Sequence, residues 1–276
     1  MNTNIANLHY RKMGKGDPLI ILHGLYGSSD NWISIAKALE SKFTIYLVDL
    51  RNHGKSQHKS THSFEDMTND LLAFINEQGI QKTSLLGHSM GGKVVLHFAL
   101  QYPEMVDHLI LADIVPRNYR DNPGRANQAD QHKEILQGLL SVDLEKLKSR
   151  KEVDEFLQPI IENEALRDFL LKNLKNNLSE GKLQWRLNLQ VLFDAIGGLM
   201  SSVNYQDIQN MDKIPQLDIT LIRGLRSWYI ADEDVTKVKE LFPSLRVYNI
   251  PDAGHWLHAQ QPQLVVDAIL DTTNKN

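Results

Sequence analysis

Short apolar runs that alternate with stretches of helical spacing constrain the fold of this chain more than any other feature. The runs are rich in Ile, Leu and Val and occupy residues 18–22, 43–50, 83–86 and 108–113. Between them, apolar residues recur every three or four positions, which is typical of a helix with one buried face. Buried strands that alternate with helices pack as right-handed βαβ units. We therefore predict an α/β architecture with a mostly parallel, doubly wound sheet, extended at its edge by a hairpin strand before Gly14.

A helical insertion interrupts this sheet. In the middle of the chain the apolar positions follow helical spacing, apart from a short extended piece at 183–189, and the strand pattern returns at 218–223. Because strands of one sheet lie on both sides of this stretch, it is inserted into the sheet and does not follow a finished domain. We predict a core domain of residues 1–115 and 213–276 and a helical cap of residues 116–212.

Composition excludes several functional classes. The chain has no cysteine, which rules out disulfides, thiolate catalysis and Cys-ligated metals. Its 30 Lys and Arg against 34 Asp and Glu leave no basic surplus, so nucleic acid is not an expected partner. The first residues lack the pattern of a signal peptide, and no uncharged apolar run approaches the roughly 18 residues of a membrane span. We expect a soluble, cytoplasmic protein. No H-E-x-x-H motif occurs in the sequence, so neither a metal nor another cofactor is expected.

The strongest chemical motif is GHSMGG at residues 87–92, where an apolar run ends and a helical pattern begins. A serine at such a tight strand-to-helix turn points its hydroxyl above the edge of the sheet. Gly87 and Gly91 leave room for backbone that would clash with a Cβ atom. This context favours Ser89 as a nucleophile over an idle serine in a glycine-rich turn.

A serine hydroxyl is a poor nucleophile at neutral pH and needs an imidazole to take its proton. Among the 11 histidines, His255 directly follows the last predicted strand, on a loop that can reach Ser89. His258 lies three residues further on, in what we predict to be the last helix, and we assign it a structural role. The alternative for His255 is a loop histidine that faces water.

An oxyanion hole is predicted from the segment HGLYG at residues 23–27, which follows the first buried strand. This position would bring the backbone N–H of Leu25 beside that of Met90. Two converging donors stabilise the charge that develops on a tetrahedral intermediate. The alternative is a plain glycine turn that leads into the next helix.

Several aspartates compete for the role of the acid that orients the imidazole. The loop after the strand at 218–223, where this acid most often lies, has Ser227 in the expected place. Asp113 lies at the carboxyl end of the strand that follows the nucleophile, and a carboxylate there can also reach the imidazole. We favour Asp113, with Asp232 and Asp234 as alternatives.

Six segments carry a family resemblance: HGLYGSSDNW (23–32), VDLRNHGKS (48–56), GHSMGGKV (87–94), ADI (112–114), WRLNL (185–189) and AGHWLHAQQP (253–262). Together they resemble the α/β-hydrolases, and among these the YbfF-type bacterial esterases and their mitochondrial relatives. The resemblance implies the α/β-hydrolase fold. It also implies that the acid is Asp113.

The resemblance further implies a serine carboxylesterase that hydrolyses short to medium acyl esters through an acyl-enzyme intermediate. We predict that five apolar residues line its pocket: Phe156, Trp185, Leu187, Phe193 and Trp228. An acyl-CoA thioesterase, a cofactor-free haloperoxidase and a carbon–carbon bond hydrolase would use the same three catalytic residues. A hydrolase-fold receptor for a small ligand is the alternative that is not an enzyme. The expected partner is a small acyl ester or thioester, and no obligatory protein partner is evident.

Overall fold

A computed structural model describes residues 4–119, 128–177, 181–201, 203–211 and 216–273. Its strands are β1 (Tyr10–Gly14), β2 (Asp17–Leu22), β3 (Phe43–Val48), β4 (Thr83–His88), β5 (Val106–Ala112), β6 (Leu174–Asn177), β7 (Lys182–Trp185), β8 (Ile219–Gly224) and β9 (Arg246–Ile250). Its helices are α1 (Ile33–Leu39), α2 (Phe64–Glu77), α3 (Met90–Gln101), α4 (Gln128–Leu140), α5 (Arg150–Leu157), α6 (Glu164–Leu171), α7 (Leu189–Ser201), α8 (Tyr205–Gln209), α9 (Asp232–Leu241), α10 (Leu257–Gln260) and α11 (Pro262–Thr273).

Seven strands form one sheet in the order β1-β3-β2-β4-β5-β8-β9. All neighbours pair in parallel except β1, which runs antiparallel to β3. The predicted α/β class with a mostly parallel, doubly wound sheet is therefore confirmed. The edge strand before Gly14 is present, but its partner is β3 and not the next strand in sequence. The predicted hairpin was wrong. Long-range packing decides which strands lie beside each other, and the local sequence pattern does not show it.

Two apolar layers bury the sheet from opposite sides. One contains the inner faces of α2 and α3, and the other contains those of α1 and α11. The start of α2 follows from its sequence: the Ser63 hydroxyl accepts the N–H of Asp66 at 3.0 Å, as the S-x-x-D pattern of a capping box requires. Because helices cover both faces, the loops at the carboxyl edge of the strands are left to build a site.

The segment between β5 and β8 carries α4 to α8 and a small antiparallel sheet of β6 and β7. The extended piece predicted at 183–189 corresponds to β7, whereas its partner β6 was not predicted, because the sequence LKNN has no alternating apolar pattern. A third apolar cluster lies inside this segment. The predicted boundary at residues 212 and 213 lies outside the described residues. Within the described ranges, none of the helices combines the length and apolarity that crossing a membrane requires.

Candidate active site

Ser89 occupies a strained turn between β4 and α3. Its backbone has φ 52° and ψ −119°, outside the regions that a serine ordinarily adopts. The turn is held because Ser89 N donates to Ala112 O at 3.1 Å, and Ser89 O accepts the N–H of Gly92 at 2.9 Å. A Cβ atom on Gly91 would lie 2.5 Å from His23 O. The glycine pattern of the motif is therefore a packing requirement of this turn.

The imidazole of His255 and the carboxylate of Asp113 are directly paired. His255 Nδ1 lies 2.7 Å from Asp113 Oδ2. The carboxylate is fully buried, and it also accepts Gly224 N at 3.1 Å and the hydroxyl of Ser227. An anionic carboxylate at Nδ1 fixes the tautomer in which Nδ1 carries the proton, which leaves Nε2 free to accept one.

The two alternative acids have other partners. Asp232 forms an ion pair with Arg223 at 2.6 Å, and its side chain is 88% exposed. Asp234 pairs with Arg117 at 2.8 Å and accepts Ala231 N at 2.9 Å at the start of α9. The structure thus brings Asp113, and neither alternative, to the imidazole. Ser227, at the place where this acid most often lies in the fold, contributes a hydroxyl to the same carboxylate.

Two residues that sequence reasoning did not assign hold His255 in place. The ring of Tyr229 stacks on the imidazole, with centroids 3.7 Å apart and planes 9° apart. His88, inside the GHSMGG motif, donates from Nε2 to His255 O at 2.7 Å. Burial holds the pKa of His88 well below its ordinary value, so the ring stays neutral. The contact to a loop more than 160 positions away has no local sequence signal.

The backbone of the HGLYG segment has a defined orientation. His23 Nε2 accepts Leu50 N at 3.0 Å, so the ring proton is on Nδ1, which donates to Gly24 O at 2.8 Å. Gly27 N donates to the same carbonyl at 3.0 Å. In a trans peptide the next N–H points away from the carbonyl, so these bonds set the direction of Leu25 N–H. Burial lowers the pKa of His23 and keeps it in this neutral form.

The candidate catalytic groups line one cavity of about 420 Å³. They are Ser89, His255, Leu25 and Met90. Apolar side chains from both the core and the segment between β5 and β8 form much of the wall: Ile114, Ile135, Leu166, Phe169, Leu199, Met200, Trp228 and Trp256. Among the described residues, no cluster of three side chains suited to a metal ion was found. The cavity therefore offers a serine, an imidazole–carboxylate pair and an apolar space.

Four of the five predicted pocket residues lie elsewhere. Trp228 lines the cavity, but Phe156 is 38% exposed on α5. Trp185 and Leu187 are buried in the third apolar cluster, against which Phe193 packs. The prediction that these four residues line the pocket was wrong. Helical spacing shows that a helix face is buried, but it does not show whether protein or ligand covers that face. Phe169 and Leu166 face the cavity instead.

His258 also borders the cavity, and its side chain packs against the core. Its ring stacks on Trp32, with centroids 4.4 Å and planes 17° apart, and burial lowers its pKa to about 3. These contacts fit the structural role expected for it.

The chain belongs to the α/β hydrolase family: residues 17–262 match the family model of the α/β hydrolase fold. It is similar to esterase YbfF of Escherichia coli, with 30% identity over 271 residues that cover 98% of each chain. It is also similar to the sn-1-specific diacylglycerol lipase ABHD11 of Danio rerio, with 33% identity over 93% of this chain and 79% of that protein. Among solved structures, a marine microorganism esterase has 41% identity and a TM-score of 0.89, covering 96% of this chain and 99% of that one. The fold and these relatives make the chain an ester hydrolase.

Proposed function

We propose that the protein is a serine carboxylesterase that works through an acyl-enzyme intermediate. The observation that carries the proposal is the 2.7 Å contact of His255 Nδ1 with the buried Asp113, beside the cavity that Ser89 also lines. This arrangement leaves His255 Nε2 unprotonated and available to the serine hydroxyl.

The proposed reaction has two halves. Ser89 Oγ attacks the ester carbonyl while its proton passes to His255 Nε2, and Asp113 stabilises the imidazolium. The N–H groups of Leu25 and Met90 hold the oxyanion of the tetrahedral intermediate. The carbon–oxygen bond then breaks, and the alcohol leaves with the proton from Nε2. Water repeats the sequence on the acyl-enzyme, which releases the acid and restores Ser89.

The cavity supports short to medium acyl chains as the substrate class. Its volume of about 420 Å³ suits a small ligand, and its wall is largely apolar. We propose that residues 116–212 form a cap that roofs this cavity, since Leu166, Phe169 and Leu199 from that segment line it. The cap then selects the acyl group.

A series of p-nitrophenyl esters of increasing acyl length, with acyl-CoA thioesters alongside, tests the proposal. We expect turnover that peaks at a short to medium length and that falls by about 10³-fold or more in Ser89→Ala. Ester turnover that is equal in wild type and Ser89→Ala would contradict the proposal. Preference for thioesters over oxygen esters of the same acyl group would identify a thioesterase instead.

A further inference from the structure

Tyr26, the residue after the proposed oxyanion donor Leu25, has a backbone conformation that needs support. Its φ is 63°, in the left-handed region that a bulky side chain seldom adopts. Such a conformation persists only when the surroundings hold it. The core holds one side of Leu25 through Gly24 O, which accepts two hydrogen bonds. The other side of Leu25 is Tyr26, whose contacts come from the inserted segment.

Three kinds of contact with the proposed cap hold Tyr26 in place. Tyr26 is 3% exposed and lies in the apolar cluster of the inserted segment, together with Leu136 and Leu170. Its hydroxyl lies 3.1 Å from His132 Nδ1 on α4. Its backbone carbonyl accepts a hydrogen bond from Asn173 Nδ2 at 2.8 Å. Of the three, only the bond from Asn173 acts on the backbone of the loop itself.

Further hydrogen bonds of Asn173 fix the direction of its bond to Tyr26 O. The residue is 3% exposed, between α6 and β6. Its Nδ2 also donates to Leu170 O at 3.2 Å, its N–H donates to the same carbonyl at 3.0 Å, and its O accepts Arg186 N at 2.8 Å. With its backbone and side chain both engaged, the amide cannot turn away from Tyr26 O without breaking buried hydrogen bonds.

We propose that Asn173 is a positioning residue for the oxyanion hole, which holds the Leu25 N–H in place through the carbonyl of Tyr26. The inference rests on the proposed function, because it assigns Leu25 to that hole. Leu25 then lies between two anchors, Gly24 fixed by the core and Tyr26 fixed by the inserted segment. Docking of the segment therefore affects the rate of the chemical step as well as the choice of substrate.

The test compares Asn173→Ala with Asn188→Ala. Asn188 also ties the inserted segment to the core, since its Nδ2 donates to Asn52 Oδ1 and Lys59 O, both at 3.1 Å, but it does not bond to the HGLYG loop. Each variant loses side-chain bonds between the same two parts of the molecule. Asn173→Asp serves as a second variant, because it keeps the size of the side chain and removes its donor.

The readouts are kcat and KM for a p-nitrophenyl ester, the thermal midpoint, and inhibition by a trifluoromethyl ketone. This ketone adds to the serine hydroxyl as a hemiketal whose oxyanion needs the same hole. Both Asn173 variants should lose roughly 10- to 100-fold in kcat, the scale of a small misplacement near the reacting atoms, with KM nearly unchanged. Inhibitor binding should weaken by a similar factor. Asn188→Ala should keep wild-type kcat and inhibitor affinity even if its thermal midpoint falls.

Folded Asn173 variants with wild-type kcat and inhibitor affinity would overturn the inference, as would an equal loss of kcat in Asn188→Ala. Failure of the proposed function looks different, because Ser89→Ala would then hydrolyse esters as fast as wild type. If Ser89→Ala is inactive while both Asn173 variants are fully active, only the role of Asn173 is lost.

Discussion

Asp113 carries a buried carboxylate, which is costly unless donors surround it. Three donors do so: the backbone N–H of Gly224, the hydroxyl of Ser227 and the Nδ1 of His255. Ser227 therefore does not mark a missing acid. Its hydroxyl donates a hydrogen bond to Asp113, which follows the neighbouring strand β5.

Replacing the acid should abolish most activity. Asp113→Asn should lower kcat by roughly 10⁴-fold, because an amide imposes the wrong tautomer on the imidazole. Ser227→Ala should cost less, about 10-fold, since it removes one charge-assisted hydrogen bond. Steady-state kinetics on p-nitrophenyl esters measures both, with Asp232→Asn as the control that should stay near wild type. If Asp232→Asn or Asp234→Asn lost most of its kcat while Asp113→Asn stayed active, the acid would lie in α9 instead.

Variants of the two histidines in the AGHWLHAQQP segment should differ in their effect on kcat. His255→Ala should lower kcat by several orders of magnitude, because the serine loses its base. His258→Ala should leave kcat within a few-fold of wild type and lower the thermal midpoint, since it removes a ring that stacks on Trp32 in the core. Kinetics and thermal unfolding of both variants provide the measurement. The reverse ranking of the two kcat values would contradict the assignment of the base.

At the scale of elements, α6 presents Phe169 to the cavity, whereas α5 presents Phe156 to solvent. Phe169→Ala should therefore enlarge the cavity and shift the preferred acyl chain to a longer one. Phe156→Ala is the matched control and should leave the length profile unchanged. The p-nitrophenyl ester series gives both profiles. A shift in Phe156→Ala, or none in Phe169→Ala, would show that α6 does not contact the acyl group.

The elements differ in how far the sequence specifies them. The turn from β4 to α3 could be predicted from the GHSMGG motif, because its glycines and serine lie next to each other and impose the geometry locally. The partner of β1 and the strand β6 could not, since pairing depends on distant residues and β6 has a polar sequence. Asn173 is a further example: only the docking of the inserted segment brings its amide to Tyr26.

At the scale of the whole molecule, buried neutral histidines make stability depend on pH. Burial lowers the pKa of His62 to about 3, of His132 to about 4 and of His258 to about 3, against 6.5 for an unperturbed histidine. Below pH 6.5 the unfolded chain binds protons at these positions while the folded chain does not, so stability falls as the pH decreases from about 6.5 to 4. Each residue contributes up to about 1.4 kcal/mol per pH unit in that window.

Urea unfolding at several pH values between 5 and 8 measures this dependence. The free energy of unfolding should be nearly constant above pH 7 and should decline towards pH 5 with an uptake of more than three protons on unfolding, because the buried neutral rings of His23 and His88 add to these three. His62→Gln should reduce the slope by about one proton. A free energy that does not change between pH 7 and pH 5 would show that these rings are not neutral in the folded protein.

The fold also explains why residues so far apart in sequence can act together. Ser89 follows β4, Asp113 follows β5 and His255 follows β9, and these strands run in parallel within one sheet. Their carboxyl ends therefore meet at one edge, where the cavity lies. The proposed function requires that this edge activates Ser89, and no other serine, as the nucleophile.

Labelling with a fluorophosphonate probe, followed by mass spectrometry of the digested protein, shows which serine is activated. An activated serine attacks phosphorus as it attacks a carbonyl, so wild-type protein should carry one adduct, on Ser89, and should lose esterase activity in proportion to labelling. Folded Ser89→Ala should remain unlabelled. An adduct on a different serine, or labelling that persists in Ser89→Ala, would contradict the proposed role of Ser89 as the nucleophile.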